Sequence, residues 1–200
     1  MERPTPIIVV SGPPASGKTT LATSIADELR LPLIAKDAIK ERLYDALGPG
    51  DREWSRWLGR ATYPLIFQFL AEQLRAGRPA VVEATFGPAR ANDEFAALHR
   101  QWPLDVLQLY CTAAPEVLLA RYAERAPRRH PGHLDSSIQD EVAAALSAGR
   151  WSSLELPGRC VVIDTTAPPV DGFDWVLGLA REHVSAARGW VPPSYEPGSC

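Results

Sequence analysis

Residues Gly12-Pro13-Pro14-Ala15-Ser16-Gly17-Lys18-Thr19 satisfy the pattern G-x-x-x-x-G-K-[ST] at every position, and nothing else in the chain restricts its fold so strongly. The pattern carries meaning only between a strand and a helix, and the sequence supplies both. Ile7-Ile8-Val9-Val10 is an unbroken apolar, β-branched run, as in a central parallel strand buried on both faces. After the loop, Leu21, Ile25 and Leu29 recur every four residues and form one stripe of a helix. The glycines let backbone N–H groups converge on phosphates, and the helix N-terminus adds its partial positive charge. This P-loop predicts a nucleoside triphosphate site built from Gly12, Ala15, Ser16, Gly17, Lys18, Thr19 and Thr20. Lys18 supplies a cation over the β- and γ-phosphates, and the Thr19 hydroxyl is a hard oxygen ligand suited to Mg²⁺.

The remaining chain alternates strand-like and helix-like segments. Further strands are expected at Leu33-Ile34-Ala35, Ala80 to Ala84, Leu104 to Cys111 and Cys160 to Asp164. Helices are expected from Asp37 to Leu47, Arg52 to Ala76, Ala89 to Gln101, Pro115 to Arg125, Asp140 to Ala148 and Phe173 to Ala187. Pro64 predicts a kink or a division in the longest of them. Ala126 to Asp135, with Pro127, Pro131 and Gly132 and no apolar period, reads as an exposed loop. His130 and His133 in that loop read as exposed, because a metal site needs further ligands close by. The tail from about residue 189, with Pro192, Pro193 and Pro197, reads as irregular. Two hundred residues in this order imply one domain with the three-layer α/β fold of P-loop NTPases. It should hold a five-stranded parallel sheet with helices on both faces, and ligands at the carboxyl ends of the strands.

Composition removes several classes. A net charge of −3 argues against a long nucleic acid as main partner, since that affinity comes from neutralising phosphates. No apolar run approaches the roughly 18 residues of a membrane span. The N-terminus leads straight into the first strand and does not read as a signal peptide. Cys111, Cys160 and Cys200 show no metal-like spacing, and the first two, in strands, read as buried thiols. A reduced, cytoplasmic setting fits this usage.

Four strings together resemble a known group. They are Gly-Pro-Pro-Ala-Ser-Gly-Lys-Thr-Thr-Leu-Ala in the loop and Asp37-Ala38-Ile39-Lys40 after the second strand. Val81-Val82-Glu83-Ala84-Thr85-Phe86 at the third strand and Arg121-Tyr122-Ala123-Glu124-Arg125 in the fifth expected helix complete the set, counting the helix after the loop as the first. Over about residues 6 to 166 the chain resembles the small P-loop kinases of the polynucleotide-kinase, zeta-toxin, chloramphenicol-phosphotransferase and gluconate-kinase group. The resemblance implies Mg²⁺-dependent transfer of the γ-phosphate of ATP to a hydroxyl of a small molecule or nucleotide-like acceptor. It implies that Asp37 accepts a proton from the attacking hydroxyl or orients it, which suits a carboxylate at a strand's carboxyl end. The alternative for Asp37 is a helix N-cap. Polynucleotide-kinase relatives carry an arginine three residues on; here Lys40 keeps the charge toward the acceptor but not the bidentate fork. Glu83 stands where relatives show aspartate and would hold the acceptor, or Mg²⁺ through water; an ion pair with Arg90 is the alternative.

Arg121 and Arg125, four apart on one helix face and followed by Arg128 and Arg129, imply a lid over about residues 121 to 138. A solvated basic face beside Glu124 is the competing account. Relatives place adenine near the loop that here reads Asp164-Thr165-Thr166. Trp54, Trp57, Tyr63 and Phe67 either line an acceptor pocket or belong to the core. A GTPase switch would need an Asn/Thr-Lys-x-Asp motif, which is absent; Asp45-Ala46-Leu47-Gly48 fits D-x-x-G in letters but ends a helix. A non-catalytic nucleotide-binding module would keep the loop without needing Asp37 and the arginines together. Antibiotic, sugar, nucleoside, nucleotide sugar and 5′-hydroxyl nucleic acid end all stay open as acceptors, and oligomeric state is not legible.

Overall fold

Alternation inside the first strand decides how the sheet is covered. A computed structural model describes residues 4–133, 139–167 and 172–186. In β1 (Thr5–Ser11) all residues are buried, with Ile7 and Val9 on one face and Ile8 and Val10 on the other. A strand apolar on both faces needs a helical layer on each. It pairs in parallel with β3 (Ala80–Ala84) on one side and β4 (Leu104–Thr112) on the other. The edges are β2 (Leu33–Ala35) beside β3 and β5 (Gly158–Asp164) beside β4, so the order is β2-β3-β1-β4-β5.

One layer is built by α3 (Arg52–Arg75) and α4 (Pro88–Gln101), which pack Ile66, Leu70 and Phe95 against Ile7, Val9 and Val82. On the other face lie α1 (Lys18–Leu29) and α7 (Asp174–Ala186), with Leu21, Ile25, Val176 and Ala180 against Ile8, Val10 and Leu109. The remaining helices, α2 (Lys36–Leu47), α5 (Pro115–Arg125) and α6 (Gln139–Ser147), gather around the strands' carboxyl ends. This is the three-layer P-loop arrangement with a five-stranded parallel sheet. No described helix is long and apolar enough to cross a membrane.

Several local expectations change. Pro64 does not divide α3, which runs through 24 residues. The Asp51 carboxylate caps its start by accepting from the Trp54 N–H at 2.9 Å. Burial of Leu58, Ile66, Leu70 and Leu74 along one side outweighs the hydrogen bond that proline removes. Cys111, in an inner strand, is buried, and burial pushes its thiol up to about 12. Cys160 is exposed instead, because β5 is an edge strand and no described helix covers the face it shares with Val162. The segment expected as an exposed loop forms two short 3-10 turns, Ala126–Arg128 and Pro131–His133, and His133 is buried. The far end of the expected lid (134–138) and the tail lie outside the described residues.

Candidate active site

The loop after β1 is held in a conformation few residues accept. Gly12 has φ 145°, and a Cβ there would lie 2.1 Å from the Cys111 carbonyl oxygen of the neighbouring strand. Ala15 (φ 65°) and Gly17 (φ 79°) are left-handed, a strain of about 1–3 kcal/mol for the alanine that is characteristic of ligand loops. Gly17 precedes α1, and no side chain caps that helix, so none competes with a ligand for its first N–H groups. Lys18 folds back beneath the loop, its Nζ 3.4 Å from the Pro13 carbonyl oxygen and 3.8 Å from Glu83 Oε1.

Strand register delivers Glu83 to that point. It pairs with Val10 on one side and Ala35 on the other, so the phosphate loop, Glu83 and the start of α2 meet on one edge of the sheet. Glu83 is 1% exposed. Burial pushes its carboxyl above the usual range, against the charge of Lys18 and a hydrogen bond from Thr19. The expected pairing with Arg90 is not formed; that guanidinium lies over the Tyr63 ring at 4.6 Å. Glu83 Oε2 is buried without a hydrogen-bond partner among the described residues. A buried acceptor oxygen beside a threonine hydroxyl is what a hard cation or its water satisfies, so the donor set fits Mg²⁺. Among the described residues no three His, Cys, Asp or Glu side chains converge on a metal position.

Asp37 is not an N-cap. It is the second residue of α2, whose cap position is Ala35, and no side chain bonds there. Its carboxylate instead accepts from Arg129 Nη2 at 2.6 Å. Burial would raise the Asp37 carboxyl, but the charges of His133, Arg129, Lys36 and Lys18 outweigh it and hold the group well below the usual range. Burial in turn lowers His133, which bonds Glu41 Oε1 through Nε2 at 2.9 Å. Of the charges acting on Asp37, those of His133 and Arg129 pull hardest. Lys36, the residue before it, is lowered by burial. Lys40 points inward, donating to Ser55 Oγ at 2.8 Å, and Ser55 donates to the Gly132 carbonyl at 2.7 Å. Those bonds tie α2 to α3 and to the turn that holds His133.

The lid arginines divide. Arg121 donates to the Thr165 carbonyl at 2.8 Å, and Thr165 Oγ1 lies 3.1 Å from the Ser16 carbonyl, so the loop after β5 is clasped to the phosphate loop. Arg125 lies over the Tyr122 ring at 4.9 Å. Only Arg128 matches a solvated basic face, paired with exposed Glu124 at 3.1 Å. A cavity of about 270 Å³ is lined by Gly17, Lys18, Thr19, Arg121 and Arg125. A second, of about 250 Å³, is lined by Lys18, Asp37, Lys40, Arg125 and Arg129. Lys18 and Arg125 border both, so the cavities meet at two cations, with Thr19 on one side and Asp37 on the other. Of the four aromatics, Phe67 is core, packed on Phe95 at 5.2 Å, while Tyr63 donates to the Thr85 carbonyl at 3.3 Å. Trp54 and Trp57 stack on each other at 5.2 Å, and neither lines these two cavities. The sequence reading missed Lys36 and the Asp37–Arg129 pair; the Arg128-Arg129 doublet was the only local signal for the latter.

A family model described as an AAA domain matches residues 7–150. A solved protein from Chloroflexus aurantiacus, provisionally assigned as a kinase, is 35% identical, with 91% of this chain and 99% of its own covered and a TM-score of 0.81. A sugar kinase from Janibacter is 22% identical over 92% of this chain and 98% of its own, with a TM-score of 0.57. Shikimate kinase from Bacteroides thetaiotaomicron is 20% identical over 89% and 97%, with a TM-score of 0.51. The last two share the fold alone. An uncharacterised Mycobacterium tuberculosis protein is 27% identical over 170 residues, which are 81% of this chain and 32% of that protein. The chain thus spans about a third of the length of the curated relatives it matches.

Proposed function

Because the chain belongs to this family of AAA domains and has the fold of the small P-loop kinases, we propose that it is a Mg²⁺-dependent kinase. In this reading it moves the γ-phosphate of ATP to a hydroxyl of a small molecule. The supporting observation is the pair of cavities that meet at Lys18 and Arg125. Donor and acceptor then approach from opposite sides of two fixed cations, where negative charge spreads during transfer.

The phosphates of the donor rest on the N–H groups around Gly17, Lys18 and Thr19, with Lys18 Nζ over the β- and γ-groups. Thr19 would ligate Mg²⁺ directly and Glu83 through water; the bound ion supplies charge neutralisation at the phosphate oxygens. Arg125 faces the transferring group. Arg121, spent on the Thr165 carbonyl, keeps the nucleotide-side loop closed on Ser16. Asp37 accepts a hydrogen bond from the acceptor hydroxyl, and Lys40 borders the same cavity. A carboxylate held this far below its usual range is a weak base. Asp37 therefore orients the hydroxyl first and receives its proton late, once bonding to phosphorus has made that oxygen acidic.

Release of ADP by the full chain, with and without a panel of hydroxyl compounds, tests the reading. Turnover should rise with the right acceptor and be lost in Lys18→Ala while the far-ultraviolet circular dichroism is retained. Wild-type turnover in that variant would remove the site; tight ATP binding with no acceptor-dependent turnover would favour a non-catalytic module.

A further inference from the structure

We propose that Arg129 is a positioning residue for transfer, fixing Asp37 for the acceptor hydroxyl, and that residues 129–133 form a strap whose seat on α2 holds Arg129 in place. The inference rests on the kinase reading and concerns how that same site is assembled. Asp37, Glu41 and Asp45 stand four residues apart along α2 and form one acidic row. Each is engaged by a basic side chain of the strap. Arg129 Nη2 lies 2.6 Å from Asp37 Oδ2, His133 Nε2 2.9 Å from Glu41 Oε1, and His130 Nε2 3.0 Å from Asp45 Oδ1. The consecutive residues Arg129 and His130 thus reach opposite ends of the row, and His133 fills the middle. An ionised carboxylate only accepts hydrogen bonds, so both imidazoles donate from Nε2. For His130 a second contact agrees: its Nδ1 accepts from the Gly132 N–H at 3.2 Å, which leaves the proton on Nε2.

The seat is packed as well as charged. The rings of Tyr44 and His130 meet edge to face at 5.3 Å, and a Cβ on Gly132 would come within 3.1 Å of the Tyr44 ring. The Gly132 carbonyl accepts from Ser55 Oγ at 2.7 Å, which ties the strap to α3 as well. Ordering a long arginine side chain costs conformational entropy, and a backbone already fixed at Gly132 and at both histidines reduces that cost. The consequence falls on Asp37. Arg129 takes Oδ2, and Asp37 lines the acceptor cavity, so Oδ1 is the oxygen left to accept from the hydroxyl. A carboxylate pinned through one oxygen is held against rotation while the other holds the nucleophile. At the point of attack, misplacement by about 1 Å costs about 10²-fold in rate. In a plain arginine lid, Arg129 would act on the transferring phosphate directly. Here it is engaged with the carboxylate, and its effect on transfer runs through Asp37.

The test is a double-mutant cycle on single-turnover transfer, with the full chain, Mg²⁺-ATP and the hydroxyl compound of the panel that raises ADP release most. Arg129→Gln should slow transfer by roughly 10²-fold. Affinity for the non-hydrolysable ATP analogue AMP-PNP should stay within about twofold, which certifies fold and nucleotide site. In the Asp37→Asn background the same substitution should change transfer by no more than about twofold, since the group it acts through is already disabled. Losses that multiply would overturn the proposal and place Arg129 on the phosphoryl group instead. The double variant Glu41→Ala/Asp45→Ala leaves Arg129 itself unaltered and tests the seat, since neither residue lines the acceptor cavity. Trypsin cleavage after Arg128 should quicken by roughly tenfold or more as two hydrogen bonds are lost. Transfer should fall by roughly tenfold or more as Asp37 loosens, with AMP-PNP affinity kept. Unchanged cleavage, or faster cleavage with transfer at the wild-type rate, would overturn the strap. If no hydroxyl compound raises ADP release in the wild type, the kinase reading itself fails, whereas multiplying losses in an active enzyme sink only this extension.

Discussion

Asp37→Asn should separate transfer from both stability and nucleotide binding. Asparagine keeps the shape and one acceptor oxygen for Arg129, now 2.6 Å from the carboxylate, but removes the charge. A hydrogen bond to a charged group contributes about 1.5–3 kcal/mol and a neutral one about 0.5–1.5, so the exchange costs about 1 kcal/mol. Asp37 is 34% exposed and Arg129 17%, and solvent screening moves the figure toward the lower end. No capping energy is lost, because the cap is Ala35. If Asp37 orients the attacking hydroxyl, transfer should fall by roughly 10²–10⁴, or about 3–5 kcal/mol at the barrier. The kinetic loss then exceeds the stability loss several-fold and is not explained by unfolding. Urea denaturation, AMP-PNP affinity and single-turnover transfer on the same variant give the three quantities. Transfer within tenfold of wild type would refute the role, and an equal loss of nucleotide affinity would move Asp37 into the metal site.

Three further outcomes are expected. Thr19→Ala and Glu83→Gln should each raise the Mg²⁺ concentration for half-maximal turnover by about tenfold or more, since a direct and a water-linked oxygen are removed; an unchanged titration counts against the metal site. Gly12→Ala should destabilise the fold by about 4 kcal/mol or more, because its Cβ would meet the Cys111 carbonyl oxygen at 2.1 Å with φ at 145°; a melting temperature within a few degrees of wild type would contradict this. His133 is lowered from 6.5 in the folded chain, so between its folded value and 6.5 the unfolded chain binds more protons. Its contribution to stability is therefore present above 6.5 and lost as pH falls through the folded value, and His133→Gln should flatten the stability slope just below pH 6.5. An identical slope in the variant would place that pH dependence elsewhere.

What the sequence determined alone lies close together along the chain. The phosphate loop needs eight consecutive residues and their flanks, so its conformation, its lysine and its threonine were legible at once. Strand period and helical stripes likewise act over a few residues, and they sufficed for the five-stranded parallel sheet. Asp37 was legible as a carboxylate following a strand, but its partner lies 92 residues away and no local pattern encodes that pairing. Strand order decided more. It set Glu83 beside Val10, within reach of Lys18, and it left β5 on an edge, so Cys160 is exposed where an inner strand would bury it. The turn before residue 134 packs on α2 and buries His133 against Glu41, a docking that proline and glycine in the sequence disguised as a free loop. Arg52, Arg56 and Arg60 stand at four-residue spacing in α3, and the sequence reading assigned that row no role. Only packing against α2 sets Lys36 and Lys40 opposite that row, because electrostatic potential depends on distance through space and not along the chain.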